Sequence, residues 1–314
     1  MTTRLTNESI NSLIEEQLAA WPEAKENFFR LGECRRHSVD LGDWHGAVQL
    51  NPARIRSTGA KVDARSISER PCFLCEANRP KEQITVPWIS GWQLLVNPFP
   101  ILPVHFTIVH PGHVAQAEIP LEMAAMAEAA PDLVIFFNGA KAGASAPDHR
   151  HVQAVLKSEL PLVRLAEQNH PSSRGGWMSS EEFGLDLPFH FMSAVVTPDT
   201  DGMKTLVRCM SAFGIDKTDG HEDAGLLNAF MWIGCDVLLR IVVVPRRAHR
   251  PDCWYAPDDE RIMVSPGAID MAGILITPME KDFQQVDDAL GRRIYADVAF
   301  ANHLPEQIKS RFLS

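Results

Sequence analysis

Near the start of the chain, Ile10, Leu13, Ile14, Leu18 and Trp21 recur at helical spacing and predict an amphipathic helix over 8–21. Pro22 suits the first turn of a second short helix, and Gly32 suits its end. Neither stretch carries an obvious chemical group, so both read as packing or assembly elements. Short extended runs follow at 83–86, 92–96 and 105–109, separated by Pro87, Ser90, Gly91 and the turn at 97–100, which predicts a meandering sheet. Residues 121–130, rich in Ala, Met and Glu after Pro120, predict a helix. A continuous apolar run at 133–137 predicts a buried strand. It leads into a loop of small residues at 138–148 and a second strand at 149–156.

Residues 157–187 are polar and contain Pro, Ser and Gly clusters, as expected of a connection between two halves. Beyond them the pattern predicts strands at 189–196, 227–233 and 237–244, a helix near 203–213, an apolar segment at 273–276 and a helix near 280–290. Strands and helices that mix in this way, without Rossmann-type glycines, predict an α+β fold with a mostly antiparallel sheet. The expected organisation is an N-terminal catalytic half at 1–165, a connection at 166–187 and a C-terminal half at 188–314. No exact repeat relates the halves, although their strand-helix-strand content is similar.

Composition narrows the partners. The net charge of −10 across 314 residues argues against a general role on nucleic acid or anionic membrane. A small phosphorylated ligand stays compatible, because a few local cations and backbone amides hold phosphate on an acidic protein. No apolar run approaches the roughly 20 residues that span a bilayer, and the opening residues lack the order of a secretory signal. The cysteines at 34, 72, 75, 209, 235 and 253 are too sparse for a disulfide scaffold. A reducing, cytoplasmic setting is expected.

The chemistry concentrates between Asn138 and Gln153, in the sequence NGAKAGASAPDHRHVQ. If 149–153 is extended, His149, His151 and Gln153 point to one side, since side chains alternate along a strand. The preceding loop of Gly and Ala, with Ser145 its only hydroxyl, lets backbone amides approach an anion closely. Neutral imidazole is a competent nucleophile at phosphorus, and a covalent intermediate divides one difficult displacement into two easier ones. A bare His-x-His in a chain with 12 histidines would be unremarkable. The Gln at the next same-face position and the small-residue loop favour a functional reading.

HRHVQ at 149–153, preceded by NGAKAGAS, resembles the active-site motif of the galactose-1-phosphate uridylyltransferase branch of the histidine triad superfamily. That branch also includes diadenosine tetraphosphate phosphorylases and the plant GDP-galactose phosphorylase. LLVNPFPILPVHFTIVHPGH at 94–113 resembles its Asn-x-Phe-Pro strand-turn-strand, and VSPGAIDMAGILITPMEKDF at 264–283 resembles the C-terminal segment of the phosphorylases. The resemblance implies two histidine-triad-like halves around the sheet, a nucleotide or nucleotide-sugar substrate, and phosphate or a sugar phosphate as acceptor. It also implies a homodimer and no organic cofactor. His151 would be the nucleophile, and Gln153 would hold a phosphate oxygen or steady the nucleotidyl-histidine. In the superfamily a Gln here marks transferases and phosphorylases, whereas a His marks hydrolases, so hydrolysis is disfavoured. Ser145, with the amides of Gly143 and Ala144, would donate to phosphate, and Asn138 and Asn97 match the branch's loop and nucleoside-binding asparagines. The loop departs from the family pattern, one residue shorter before Gly143 and one longer after Ser145, with Asp148 the extra residue.

Cys72-Phe-Leu-Cys75 is a CxxC, which fits half of a zinc knuckle, two buried thiols or a redox pair. Uridylyltransferases of the branch bind zinc with a CxxC, a neighbouring-strand His and the first His of the motif. The implied ligands of a structural zinc are therefore Cys72, Cys75, His110 and His149, with His105 or His113 as alternatives to His110. The phosphorylases lack zinc. His190 reads as a core or edge histidine; Arg246, Arg247 and Arg250 read as phosphate partners or solvated charge, and Lys141 as a lesser candidate. The expected reaction is phosphorolysis of a nucleoside diphosphate-sugar or dinucleoside polyphosphate through a nucleotidyl-histidine. Hexose-1-phosphate uridylyl transfer is the alternative. A non-catalytic, zinc-stabilised nucleotide-binding protein is the alternative of another class.

Overall fold

In the computed structural model, which describes residues 4–59, 64–170, 176–197 and 225–313, the extended runs form two sheets. The smaller is made of β1 (Arg35–Asp40), β2 (His45–Leu50) and β12 (Ile274–Thr277), with β2 central, antiparallel to β1 and parallel to β12. The larger contains β3 (Val86–Pro87), β4 (Gln93–Val96), β5 (His105–Val109), β6 (Leu133–Asn138), β7 (His151–Leu156), β8 (Gly176–Ser179), β9 (Met192–Val196), β10 (Leu227–Ile233) and β11 (Leu239–Pro245). Its order is β3-β4-β5-β7-β6-β10-β11-β9-β8, and every neighbouring pair is antiparallel. The α+β class and the mostly antiparallel sheet are as the sequence predicts.

Both faces of the large sheet are covered, which explains why its central strands read as unbroken apolar runs. Val134, Phe136, Val155, Phe230, Trp232, Val242 and Val244 pack beneath the small sheet and the helix Asp288–Val298, where Ile294 and Tyr295 are buried. Leu133, Ile135, Phe137, Ala154, Met231 and Val243 pack on the opposite side, beneath the helix Glu122–Ala129 and Ile10 of the first helix. That first helix runs Asn7–Ala20, one residue off its expected bounds, with Thr6 accepting from Ser9 N as its cap.

The differences from expectation have local causes. The strand β1 goes beyond the sequence pattern, because RRHSVD buries only Val39 and shows no apolar alternation. The helix expected near 280–290 is two helices, Glu280–Gln285 and Asp288–Val298, because the Asp287 side chain accepts from Leu290 N and starts a new turn. β8 lies within the stretch read as a connection. The strand expected at 149–156 begins at His151, leaving His149 in a bend. The helix expected near 203–213 lies outside the described residues. Among the described residues, no helix is long and apolar enough to cross a membrane.

The two halves of the chain join where β6 pairs with β10, with Asn138 opposite Asn228. Arg246, at the end of β11, closes this seam. Its Nη1 donates to Asn228 Oδ1 at 2.7 Å and to Pro266 O at 3.0 Å, and its Nε donates to Val298 O at 3.0 Å. Burial draws its pKa down to about 10, which leaves it charged at neutral pH. Arg246 is thus an internal clamp, neither solvated charge nor a phosphate partner. Arg246→Met should cost roughly 3 kcal/mol by stranding these acceptors, read as a lower midpoint in urea; an unchanged midpoint would refute the clamp.

Candidate active site and metal cluster

Residues paired across an antiparallel ladder point to the same face. Thr107 is opposite Gln153, Val109 opposite His151 and Phe136 opposite Gln153, so His105, Thr107, His151, Gln153, Phe136 and Asn138 form a patch on one face. Two clefts open over it. One, of about 460 Å³, is lined by Trp21, Leu74, Leu95, Phe99, His151 and Gln153, among others. The other, of about 60 Å³, has Arg54, Ser145 and Gln153 in common with the first, and adds Asn138, Gly143 and Ala144 with residues of the C-terminal half.

His151 is set by its own backbone. Its Nδ1 lies 2.8 Å from His149 O, and a carbonyl only accepts, so Nδ1 carries the hydrogen and Nε2 keeps its lone pair. Burial holds the imidazolium down to about 4, opposed only in part by that hydrogen bond, so the ring is neutral near pH 7. Gln116, fully buried, pins this strand. It accepts from His151 N at 2.8 Å and donates to His151 O at 2.8 Å and Asn138 O at 2.9 Å. Nothing in its sequence context marked it out.

Gln153 is oriented from below. His105 accepts from Ile101 N at its Nδ1 at 3.2 Å, so its Nε2 bears the hydrogen and donates to Gln153 Oε1 at 2.8 Å. Burial pushes His105 down to about 3, which keeps it neutral. With Oε1 engaged by His105, the carboxamide NH₂ is the group Gln153 has to offer an anionic oxygen in the clefts it lines.

The other expected binding residues fall around these two. Asn97 lines the larger cleft, but its amide holds the turn, donating to Thr107 Oγ1 at 3.0 Å and accepting from Phe99 N at 2.9 Å. Asn138 Oδ1 faces the other half, accepting from Ala268 N at 2.7 Å and Asn228 Nδ2 at 3.0 Å. Gly143 has φ of +95°, and a Cβ there would sit 2.5 Å from Gly267 Cα, so glycine is required where the loop meets the C-terminal half. Ala144 is buried in the small cleft, and Ser145 lines both clefts while its carbonyl accepts from Arg70 Nη2 at 2.8 Å. His190 is a buried histidine whose Nδ1 lies 3.2 Å from Ser180 Oγ, away from both clefts.

Cys72, Cys75, His113 and His149 converge, with their ligand atoms within 4.8 Å of one another. Cys72 Sγ is 3.4 Å from His149 Nδ1, and Cys75 Sγ is 3.3 Å from His113 Nδ1 and 3.5 Å from His149 Nδ1. Tetrahedral zinc with two thiolates and two imidazoles spaces such S and N atoms about 3.6 Å apart, so the donor set fits. His110, implied by the resemblance, is displaced from the set by His113. The Pro111-Gly112 turn folds His110 Nδ1 back onto Gly112 N at 3.1 Å, and its ring stands edge-on to Trp92. His110 contributes its carbonyl, which accepts from His149 Nε2 at 2.9 Å and leaves Nδ1 aimed at the thiols.

A family model described as a domain of unknown function (DUF4922) matches residues 13–156. No curated protein matches the chain. Among solved structures, yeast Ap4A phosphorylase Apa2 is similar at 14% identity and a TM-score of 0.54, covering 91% of this chain and 98% of that one. Its complex with AMP gives 14% identity and a TM-score of 0.53, covering 90% and 96%. Its complex with Ap4A gives 16% and 0.56, covering 93% and 99%. The likeness is one of fold, and it extends over both halves.

Titration with Co²⁺ should produce a thiolate charge-transfer band. His113→Ala should weaken that binding by more than about a hundredfold, and His110→Ala should leave it within about threefold. The reverse ranking would restore His110 to the ligand set.

Proposed function

We propose that the protein is a nucleotidyltransferase that forms a nucleotidyl-histidine at His151 and passes the nucleotidyl group to phosphate. The observation that carries the reading is the His151 ring itself: neutral, with its hydrogen fixed on Nδ1 and the Nε2 lone pair kept, in a residue that lines the larger cleft together with Gln153, which borders both clefts. The phosphorylase fold over more than nine-tenths of the chain supports phosphorolysis. The AMP and Ap4A complexes of that neighbour support a nucleotide substrate. The donor is a nucleoside diphosphate-sugar or a dinucleoside polyphosphate, with its nucleoside in the larger cleft among Trp21, Leu74 and Phe99.

In the first step Nε2 attacks the α-phosphorus, the P–N bond forms, and the P–O bond to the rest of the donor breaks with its electron pair leaving on oxygen. The ring becomes a cation, which the Nδ1–H···O=C bond to His149 stabilises. The Gln153 NH₂, held outward by His105, donates to a non-bridging oxygen. In the second step a phosphate oxygen attacks the same phosphorus, the P–N bond breaks and its electron pair returns to Nε2. A carboxamide does not donate a proton as an imidazolium would, so position 153 offers no general acid. Cys72, Cys75, His113 and His149 would hold a zinc whose contribution is structural, fixing the segment two residues before the nucleophile. That cluster also favours a second reading, with hexose 1-phosphate as acceptor.

Incubation with UDP-, GDP- and ADP-sugars and diadenosine polyphosphates, followed by denaturing mass spectrometry, should reveal a nucleotidyl adduct on His151. Inorganic phosphate or hexose 1-phosphate should discharge it, and the faster of the two names the acceptor. His151→Ala should stay folded and lose turnover by more than about a thousandfold. Full activity in that variant, or no adduct with any donor, would overturn the proposal.

A further inference from the structure

The small cleft has the chemistry of an anion site, and the C-terminal half builds much of it. Arg54 and Arg250 line it, and the guanidinium of Arg246 lies buried behind it. Among the described residues, Asp270 is the one carboxylate in its lining, and both its oxygens are engaged, accepting from Gly267 N at 2.9 Å and Ile276 N at 2.8 Å. Burial pushes Asp270 up to about 6 and leaves Arg54 at about 10, so the cations keep the excess of charge at neutral pH.

Arg250 is held as a rigid fork. Its guanidinium lies 3.9 Å from the centre of the Trp254 ring, Nε donates to Ser265 Oγ at 3.1 Å, and Nη2 donates to Thr58 O at 3.3 Å. Ser265 Oγ is also 3.4 Å from His249 Nε2. Burial, with Arg250 and Arg246 nearby, holds His249 down to about 4, so this histidine adds no charge. The volume of about 60 Å³ leaves room for one tetrahedral oxyanion. Arg54, Ser145 and Gln153 line this cleft and the larger one alike, so an anion here lies next to the point where the nucleophile meets phosphorus.

We propose that Arg54, Arg250 and Ser265 form a subsite for a phosphate group, separate from the nucleoside cavity and bordering it at Gln153. This deepens the function proposed above and rests on it for the subsite's role. The phosphate there is the acceptor whose oxygen attacks the nucleotidyl-histidine, with its own proton retained on the phosphate as the P–N electron pair returns to Nε2. Inorganic phosphate and the phosphate of a hexose 1-phosphate share the chemistry that Arg54 and Arg250 recognise.

The test is equilibrium titration calorimetry on the full chain with inorganic phosphate, hexose 1-phosphate and AMP as separate probes. Wild type should bind inorganic phosphate with or without saturating AMP. Arg250→Gln should weaken phosphate by about tenfold or more and leave AMP within about twofold. Arg250→Lys should fall between them, and Ser265→Ala provides a second variant should Arg250→Gln fail to fold. Either ranking of inorganic phosphate and hexose 1-phosphate supports the subsite and names its source. No phosphate binding by wild type, or equal loss of AMP and phosphate in Arg250→Gln, would overturn it. Adduct formation by wild type separates the two proposals: phosphate binding in a wild-type protein that forms no adduct with any donor keeps the subsite and removes its role.

Discussion

The hydrogen bond from His151 Nδ1 to the His149 carbonyl is the interaction on which the site depends. It assigns the tautomer, aims the ring, and leaves one lone pair in one direction. Because the acceptor is a backbone oxygen two residues away, the aim of the His151 ring is a property of the main chain between 149 and 151. That main chain is itself fastened twice. Gln116 holds the strand at His151, and the His149 ring is held between the His110 carbonyl and the two thiols. The Cys/His cluster therefore sits where it bears on the aim of the His151 ring through the two residues between them.

The halves divide the work unequally. The N-terminal half supplies His151, Gln153 and the wall of the larger cleft, while His249, Arg250 and Ser265 come from the C-terminal half and shape the smaller one. The seam between them is polar where it nears the site: Asn138, Asn228 and Arg246 exchange hydrogen bonds in a fully buried row. Such a row costs little while every partner is present, and a great deal when one is missing. It locks the two cleft walls in one register.

The placement of His151 beside Gln153 was legible in the sequence because its signal is short-ranged. Alternation along one strand places His151 and Gln153 together, and Cys72 and Cys75 are linked by a local turn. His113 was harder to rank than His110, since the choice rests on how Pro111 and Gly112 reverse the chain. The role of His105 beneath Gln153, the brace made by Gln116, and the cleft formed by Arg54, His249, Arg250 and Ser265 were not legible. Each is created by contacts between residues 35 to almost 200 positions apart. The polar edge strand β1 is illegible for the opposite reason, having too little apolar pattern to register.

The meeting of Gly143 with Gly267 has a bearing on how such a protein is cut and recombined. A loop whose Gly143 leaves no room for a Cβ against Gly267 takes its final shape only when the second half is in place. The segment matched by the family model ends at residue 156, so it holds the whole of His151 and none of that opposing surface. Grafted alone onto another scaffold, it would carry the imidazole yet lack the mould for its own loop.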